Sequence, residues 1–322
     1  MKKLLSFLLA LFMVGYIFGQ AARSTPPQFL LNSLTINPAY AGSHYVSSLD
    51  ISYFGSGEQF QFLYRSVDAT LHGPLSLDGK NNLGLYLKFV TEGSINEIKF
   101  RPSYAYRITT PIGKIAFAAA LGFNFFDVDD QATQFFYRPF YSIDASLGIY
   151  FNSERVFAGI SSLNIYERLL TPKNRIAGLL VQRENPFYLQ GGFVQPLNDR
   201  FMIRPAVLLK FSEYYELGDE GLSTSNELAY DLSATLIIEQ NYWVTLFYGT
   251  SYFEELGVVT NDNNIQINRF GIALNYLAGD LRLTYGIHRT SLADQNIEFP
   301  VSHLFTIGYD FGVEKDDFIR FF

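Results

Sequence analysis

Leu281-Arg282-Leu283-Thr284-Tyr285-Gly286-Ile287-His288 alternates without a break, large apolar side chains at odd positions and small or polar ones between. Successive side chains of a β-strand point to opposite faces, so the octet presents one apolar and one polar face. The same period of two recurs. Phe270, Ile272, Leu274 and Tyr276 oppose Arg269, Gly271, Ala273 and Asn275. Ile143, Ala145, Leu147 and Ile149 oppose Asp144, Ser146, Gly148 and Tyr150, and Phe305, Ile307, Tyr309 and Phe311 oppose Thr306, Gly308, Asp310 and Gly312. A secreted sandwich also alternates, with its polar face in water. Two features favour a membrane barrel. The polar faces are rich in Gly, Ala and Ser, which suits a crowded lumen, and many apolar faces begin or end in Tyr or Phe, as an aromatic girdle does.

Composition supports this reading. The 322 residues include 31 Phe and 22 Tyr, while charged residues make up only 17%, below the roughly 25% usual for soluble proteins. There is no cysteine, which excludes disulfide scaffolds, thiolate metal sites and cysteine nucleophiles. A net charge of −7 disfavours nucleic-acid binding, which needs clustered cations to neutralise phosphates. Met1-Lys2-Lys3, the apolar run Leu4 to Phe18 and then Gly19 have the layout of a cleaved secretory signal over residues 1–19. No later stretch reaches the roughly 20 apolar residues of a spanning helix.

The expected architecture is therefore all-β: an antiparallel transmembrane β-barrel of about 14 strands, 12 to 16 being compatible with the weaker segments 59–71, 156–165 and 202–211. It is expected over residues 46–312, after an N-terminal segment 20–45 placed in or beside the lumen as a plug, and before a tail 313–322. Short turns are expected at Thr110–Gly113, Asn152–Arg155 and Gly279-Asp280, and long outer loops at 127–139, 166–186, 212–225, 254–264 and 291–302.

Catalytic and metal signals are sparse. The four histidines, His44, His72, His288 and His303, stand at no metal-ligand spacing, and no phosphate-binding or nucleophile-elbow motif occurs. No cofactor is expected. His288 with Ser251 or Ser291 is the one arrangement an outer-membrane hydrolase could use, and nothing in the sequence specifies it. Lumen charges say more. Lys88, Lys99, Arg101, Arg107, Arg204, Lys210, Arg269 and Arg282 take the inward parity, against Asp144, Asp231 and Asp310. The interior is thus expected to be positive. Such charges either brace the wall as ion pairs or hold an acidic plug or partner segment. Arg168, Lys173, Arg175 and Arg183 mark the 166–186 link as a candidate partner-facing loop.

The most specific stretch precedes the first strand. It contains Gln28-Phe29 and then Asn37-Pro38-Ala39-Tyr40-Ala41-Gly42, two turn-forming pairs around one aromatic. This run resembles the N-terminal signature of the PorP/SprF family of type IX secretion outer-membrane proteins. Weaker echoes lie in 142–165, in Arg204-Pro205 to Lys210, and in Ser302 to Tyr309. The chain departs from the family pattern at Pro26-Pro27, where an acidic residue is common, and at Leu304, where Glu is common. The resemblance implies a non-enzymatic outer-membrane barrel working with secretion and gliding machinery, each member retaining a secreted partner at the cell surface through that partner's C-terminal domain. Implied partners are that domain, other type IX components and outer-membrane lipid. A FadL-like transporter of hydrophobic small molecules is the alternative.

Overall fold

The computed structural model describes residues 32–58, 61–92, 95–128, 139–170, 182–218, 221–255, 265–292, 297–298 and 301–311. The chain forms a closed antiparallel barrel of fourteen strands. They are β1 Ser47–Glu58, β2 Gln61–Pro74, β3 Asn81–Glu92, β4 Ile95–Thr110, β5 Gly113–Val128, β6 Phe140–Asn152 and β7 Val156–Leu169. β8 Gln182–Phe193, β9 Phe201–Gly218, β10 Gly221–Ile238, β11 Tyr242–Glu255, β12 Ile265–Ala278, β13 Leu281–Leu292 and β14 Ser302–Phe311 follow. Each strand pairs with its neighbours in sequence, and β14 closes the ring on β1 from Ser47↔Phe311 to Ser56↔Ser302. Two-residue pieces, Gln195–Pro196 and Ile297–Glu298, add bridges to β9 and β13.

Closure follows from the bilayer. Backbone N–H and C=O groups in hydrocarbon need partners inside the protein, and a closed barrel leaves no edge. The apolar parity faces out: Phe117, Leu147, Leu246, Leu274 and Ile307 are exposed, and their sequence neighbours are mostly buried. Exposed tyrosines stand near both ends of the wall, Tyr106, Tyr242, Tyr276 and Tyr309 at one and Tyr141, Tyr166 and Tyr252 at the other, as aromatic girdles do. Prolines fall where a ladder pauses. The β4–β5 ladder skips Arg101 and Pro102, and the β8–β9 ladder skips Arg204 and Pro205. A residue without an N–H is tolerated where pairing is interrupted.

One end of the barrel carries short links, among them Pro111-Ile112, Glu239–Asn241 and Gly279-Asp280. This is the periplasmic pattern, and longer links mark the outer end. Around the Leu75–Lys80 turn, Ser76 Oγ donates to Asp78 Oδ1 (2.5 Å), and the Lys80 N–H donates to the same oxygen (3.0 Å). With the Ser76 hydroxyl as the larger cause, these bonds hold the Asp78 carboxyl below the usual carboxylate range. Two expected loops are corrected. The 212–225 link is strand on both sides, β9 running to Gly218 and β10 starting at Gly221. β7 extends to Leu169 and β8 begins at Gln182, so Arg168 and Arg183 belong to strands. Beyond the bilayer a strand is wet on both faces, so its polar composition reads as loop although pairing continues.

Candidate functional site: a plug in the turn-side lumen

Residues 32–46 lie inside the barrel, in the half nearest the short turns. Two 3₁₀ turns, Ser33–Thr35 and Pro38–Tyr40, form the plug, and both are made the same way. Asn32 Oδ1 accepts from the Leu34 N–H, and Asn37 Oδ1 accepts from the Ala39 N–H, each at 2.9 Å. An Asn side chain at an N-cap position satisfies a donor that the first turn leaves open. Pro38 supplies a fixed φ at the start of the second turn. Gly42 ends the segment at φ +74, a conformation a side chain disfavours.

The amide nitrogens of the same two residues bind the wall. Asn32 Nδ2 donates to Asp50 Oδ2 (2.9 Å) and Thr70 Oγ1 (2.5 Å). Asn37 Nδ2 donates to the carbonyl oxygens of Ile149 (3.0 Å) and Ile160 (3.5 Å). Each Asn thus uses both ends of its amide, one to shape the plug and one to fix it. The wall reciprocates: Ser161 Oγ donates to Ile36 O (2.7 Å), and Arg107 Nη2 donates to Ala41 O (3.0 Å). Glycine makes the room. A Cβ at Gly148 would collide with Asn37 Oδ1, and one at Gly159 would lie 2.8 Å from Asn37 Nδ2.

Tyr40 is the apolar centre, 2% exposed. Its ring meets His44, His72 and Tyr150 edge-on at 5.3–5.7 Å, a favoured aromatic geometry. Its hydroxyl lies 2.9 Å from His44 Nε2. Burial pushes the Tyr40 phenol up to about 12, so it stays protonated. Below it, Arg282 ties the wall together. Arg282 Nη1 reaches both Asp310 oxygens at 2.5 Å, and Nη2 donates to Asp50 Oδ1 (2.7 Å) and Ser48 Oγ (2.8 Å). Asp310 also faces His44 Nδ1 at 3.6 Å.

The loop-side half of the lumen is built from the wall's own charges. Lys210 Nζ sits 2.6 Å from both Glu184 Oε1 and Glu227 Oε2. Arg269 Nη2 pairs with Asp231 Oδ1 (2.9 Å), and Arg101 Nε lies 4.0 Å from Asp144 Oδ1. On the turn side, by contrast, Arg204 lies over the Trp243 ring at 5.3 Å, both close to the short links. Of the eleven charges expected in the lumen, Arg101, Arg107, Arg204, Lys210, Arg269, Arg282, Asp144, Asp231 and Asp310 face inward as buried or nearly buried side chains, Lys88 and Lys99 are half-buried on the same parity, and Arg107, Arg282 and Asp310 touch or back the plug. The interior is not the positive surface expected from parity, because Asp50, Asp68, Glu184 and Glu227 also face it. Asp50 and Glu227 share the parity of recognised lumen residues. Glu184 lies before the expected start of its strand, and Asp68 lies in a poorly alternating one.

Of the family run, Asn37 to Gly42 form the plug's second turn, while Gln28 and Phe29 lie outside the described residues. So do Lys173 and Arg175. Arg168 is exposed near the loop-side end of β7, and Arg183 pairs in register with Tyr215. His288 stacks on Phe54 (5.4 Å) and meets Phe247 edge-on (5.9 Å), and Ser251 Oγ makes no hydrogen bond among the described residues. Among the described residues no cluster of His, Asp and Glu could hold a metal. Asn32, His44, His72 and Gly148 escaped sequence reasoning. Two asparagines five residues apart, each starting a short turn, were the available signal for the first.

Comparison with known proteins completes the picture. The chain is similar to the CymD monoaromatic hydrocarbon channel at 10% identity and a TM-score of 0.53, over 88% of this chain and 92% of that one. A COG4313 outer-membrane channel from Pseudomonas putida F1 is also similar, at 10% identity and a TM-score of 0.47, over 84% of this chain and 98% of that one. At such identities the likeness to CymD shows the fold alone. No curated protein matches. The profile described as type IX secretion system membrane protein PorP/SprF matches residues 20–314, nearly the whole chain. This outer-membrane β-barrel belongs to the PorP/SprF family of type IX secretion system membrane proteins.

Proposed function

We propose that the barrel anchors a secreted partner at the cell surface, holding the partner's C-terminal domain at the loop-side end while the plug closes the turn-side end. The observation that carries this reading is the plug itself. Residues 32–46 occupy the turn-side lumen and are bonded to β1, β2, β4, β6, β7 and β8. A lumen filled at that end offers a partner its other end. Contact there comes from side chains at the loop-side end, Arg168 on β7 among them, and from polar groups inside the rim, since a closed wall offers no strand edge at the rim. Residues 1–19 serve as the cleaved export signal in this reading.

Affinity capture of the tagged full chain from solubilised outer membranes, followed by mass spectrometry, tests it. A large secreted protein retained through its C-terminal domain is the expected result. Arg101→Glu should weaken that retention in a correctly inserted barrel, and unchanged retention removes Arg101 from the contact. A barrel that carries only bound small hydrophobic molecules supports the second reading, a transporter of such molecules. The barrel likeness to the CymD monoaromatic hydrocarbon channel favours that reading, and the plug across the lumen opposes it.

A further inference from the structure

The membrane-facing side of the wall is indented by a groove of about 530 Å³ across β4 to β8. Two irregularities meet beside it. In the β6–β7 ladder Leu147 pairs with Ser162 and Ala145 with Tyr166, so Leu163, Asn164 and Ile165 all stand against Ser146. The β7–β8 ladder runs only from Val156↔Phe193 to Ser162↔Phe187, although both strands continue. Asn164 holds the spot together at φ +54. Its N–H donates to Ser146 Oγ (3.2 Å), and its Nδ2 donates to Glu184 O (2.9 Å). A bulge patched in this way, at a depth where an unpaired backbone group costs several kcal/mol, is a built feature of the wall.

The groove's rim is apolar and lipid-facing, with Phe117, Leu147, Ile165 and Phe187 exposed. Among the described residues no charged side chain lines it. Its floor includes Ala118, Gly148 and Ser161, which are also the residues that hold the plug. Gly148 abuts Asn37, Ser161 bonds Ile36 O, and Ala118 packs in one cluster with Ala39 and Tyr40. The wall between groove and plug is one backbone thick.

We propose that this groove is a binding site for one acyl chain of an outer-membrane lipid, and that the seated chain backs the stretch of wall to which the plug is fastened. The occupant follows from position. The groove is continuous with the lipid-facing surface and lies midway along the strands, at hydrocarbon depth. An apolar rim without charge reads the tail of a lipid and not its headgroup.

The test uses the full chain in liposomes whose phosphatidylethanolamine carries a diazirine in the acyl chain. After irradiation, labelling of peptides spanning 147–149 and 160–165 should exceed that around Leu246 and Leu274, on β11 and β12 and outside this groove, several-fold. Ala119→Phe fills the groove from outside without facing the plug, and should cut the excess several-fold while labelling at Leu246 stays constant. Should that variant fail to insert, as judged by heat-modifiable migration, Ala119→Leu makes the same test. Labelling that is even around the barrel, or unchanged by either variant, overturns the site. Leu147→Ala opens the rim, and hydrogen exchange at the Ala39 to Gly42 amides should then accelerate several-fold. Unchanged exchange overturns the backing of the plug. In native membranes Phe187→p-benzoylphenylalanine, at the rim, should cross-link to lipid, and a polypeptide adduct instead gives the groove to a protein and overturns the proposal.

Discussion

The two halves of the lumen are filled by different means. On the turn side a peptide fills the space, and its amide side chains and carbonyls meet the wall through directional hydrogen bonds. Asn37, for instance, is wholly buried and bonded at both ends of its amide. On the loop side, neighbouring strands fill the space with ion pairs, such as Lys210 between Glu184 on β8 and Glu227 on β10. The first solution fits one particular peptide. The second needs only neighbouring strands, so it stays intact whatever occupies the space above it. A half whose ion pairs are made within the wall itself is the half suited to meeting a second protein.

The largest expected break in this contrast is Lys210→Met. It removes the cation between the buried Glu227 and the half-buried Glu184, and losing one member of a buried pair costs about 3–5 kcal/mol. Urea unfolding from liposomes should report the loss while protease protection of the N-terminal segment persists. Tyr40→Ala comes next. It leaves a cavity worth about 3 kcal/mol, and here the N-terminal segment should become protease-sensitive while the barrel keeps its heat-modifiable migration. Asn37→Ala should cost about 1–2 kcal/mol through a lost cap and unpaired carbonyls, read as faster amide exchange at Ala39 with no change around Lys210. Both central residues of the Ile238–Asn241 turn, Glu239 and Gln240, have positive φ. The pair Glu239→Asn and Gln240→Gly should therefore stabilise the barrel by about 0.5–1 kcal/mol and move neither half relative to the other. Smallest is a pH effect at the turn. Carbon-13 NMR should place the Asp78 titration below the ordinary Asp range, and Ser76→Ala should move it back up. Hydrogen bonds to its carboxylate then contribute above that range and are lost as pH falls through the lowered value.

Much of the wall was legible because lipid enforces one rule on every spanning strand. Residues such as Leu283 and Tyr285 must face out, and Arg282 and Thr284 in, so alternation alone gives strand number and the inward face. Where the rule stops, so does legibility. Residues 214–218 and 221–225 read as loop although the β9–β10 pairing continues through them. The bulge at Asn164 breaks the period without any Gly or Pro to announce it, because its support comes from Ser146 and Glu184 on other strands. In the plug, the Asn37 to Gly42 run could be recognised as a turn-rich unit with an aromatic centre. The glycines that receive it could not be paired with it, since Gly148 and Gly159 are far away in sequence and carry no chemistry of their own.

The pairing of β14 with β1 sets an order of assembly. The first strand finds its second neighbour only when the last strand exists, so the ring is among the most non-local contacts a chain can make. The plug leads directly into β1 at that seam and bonds β2, β4, β6, β7 and β8 as well, so its own contacts are drawn from almost as far along the chain as the closure itself.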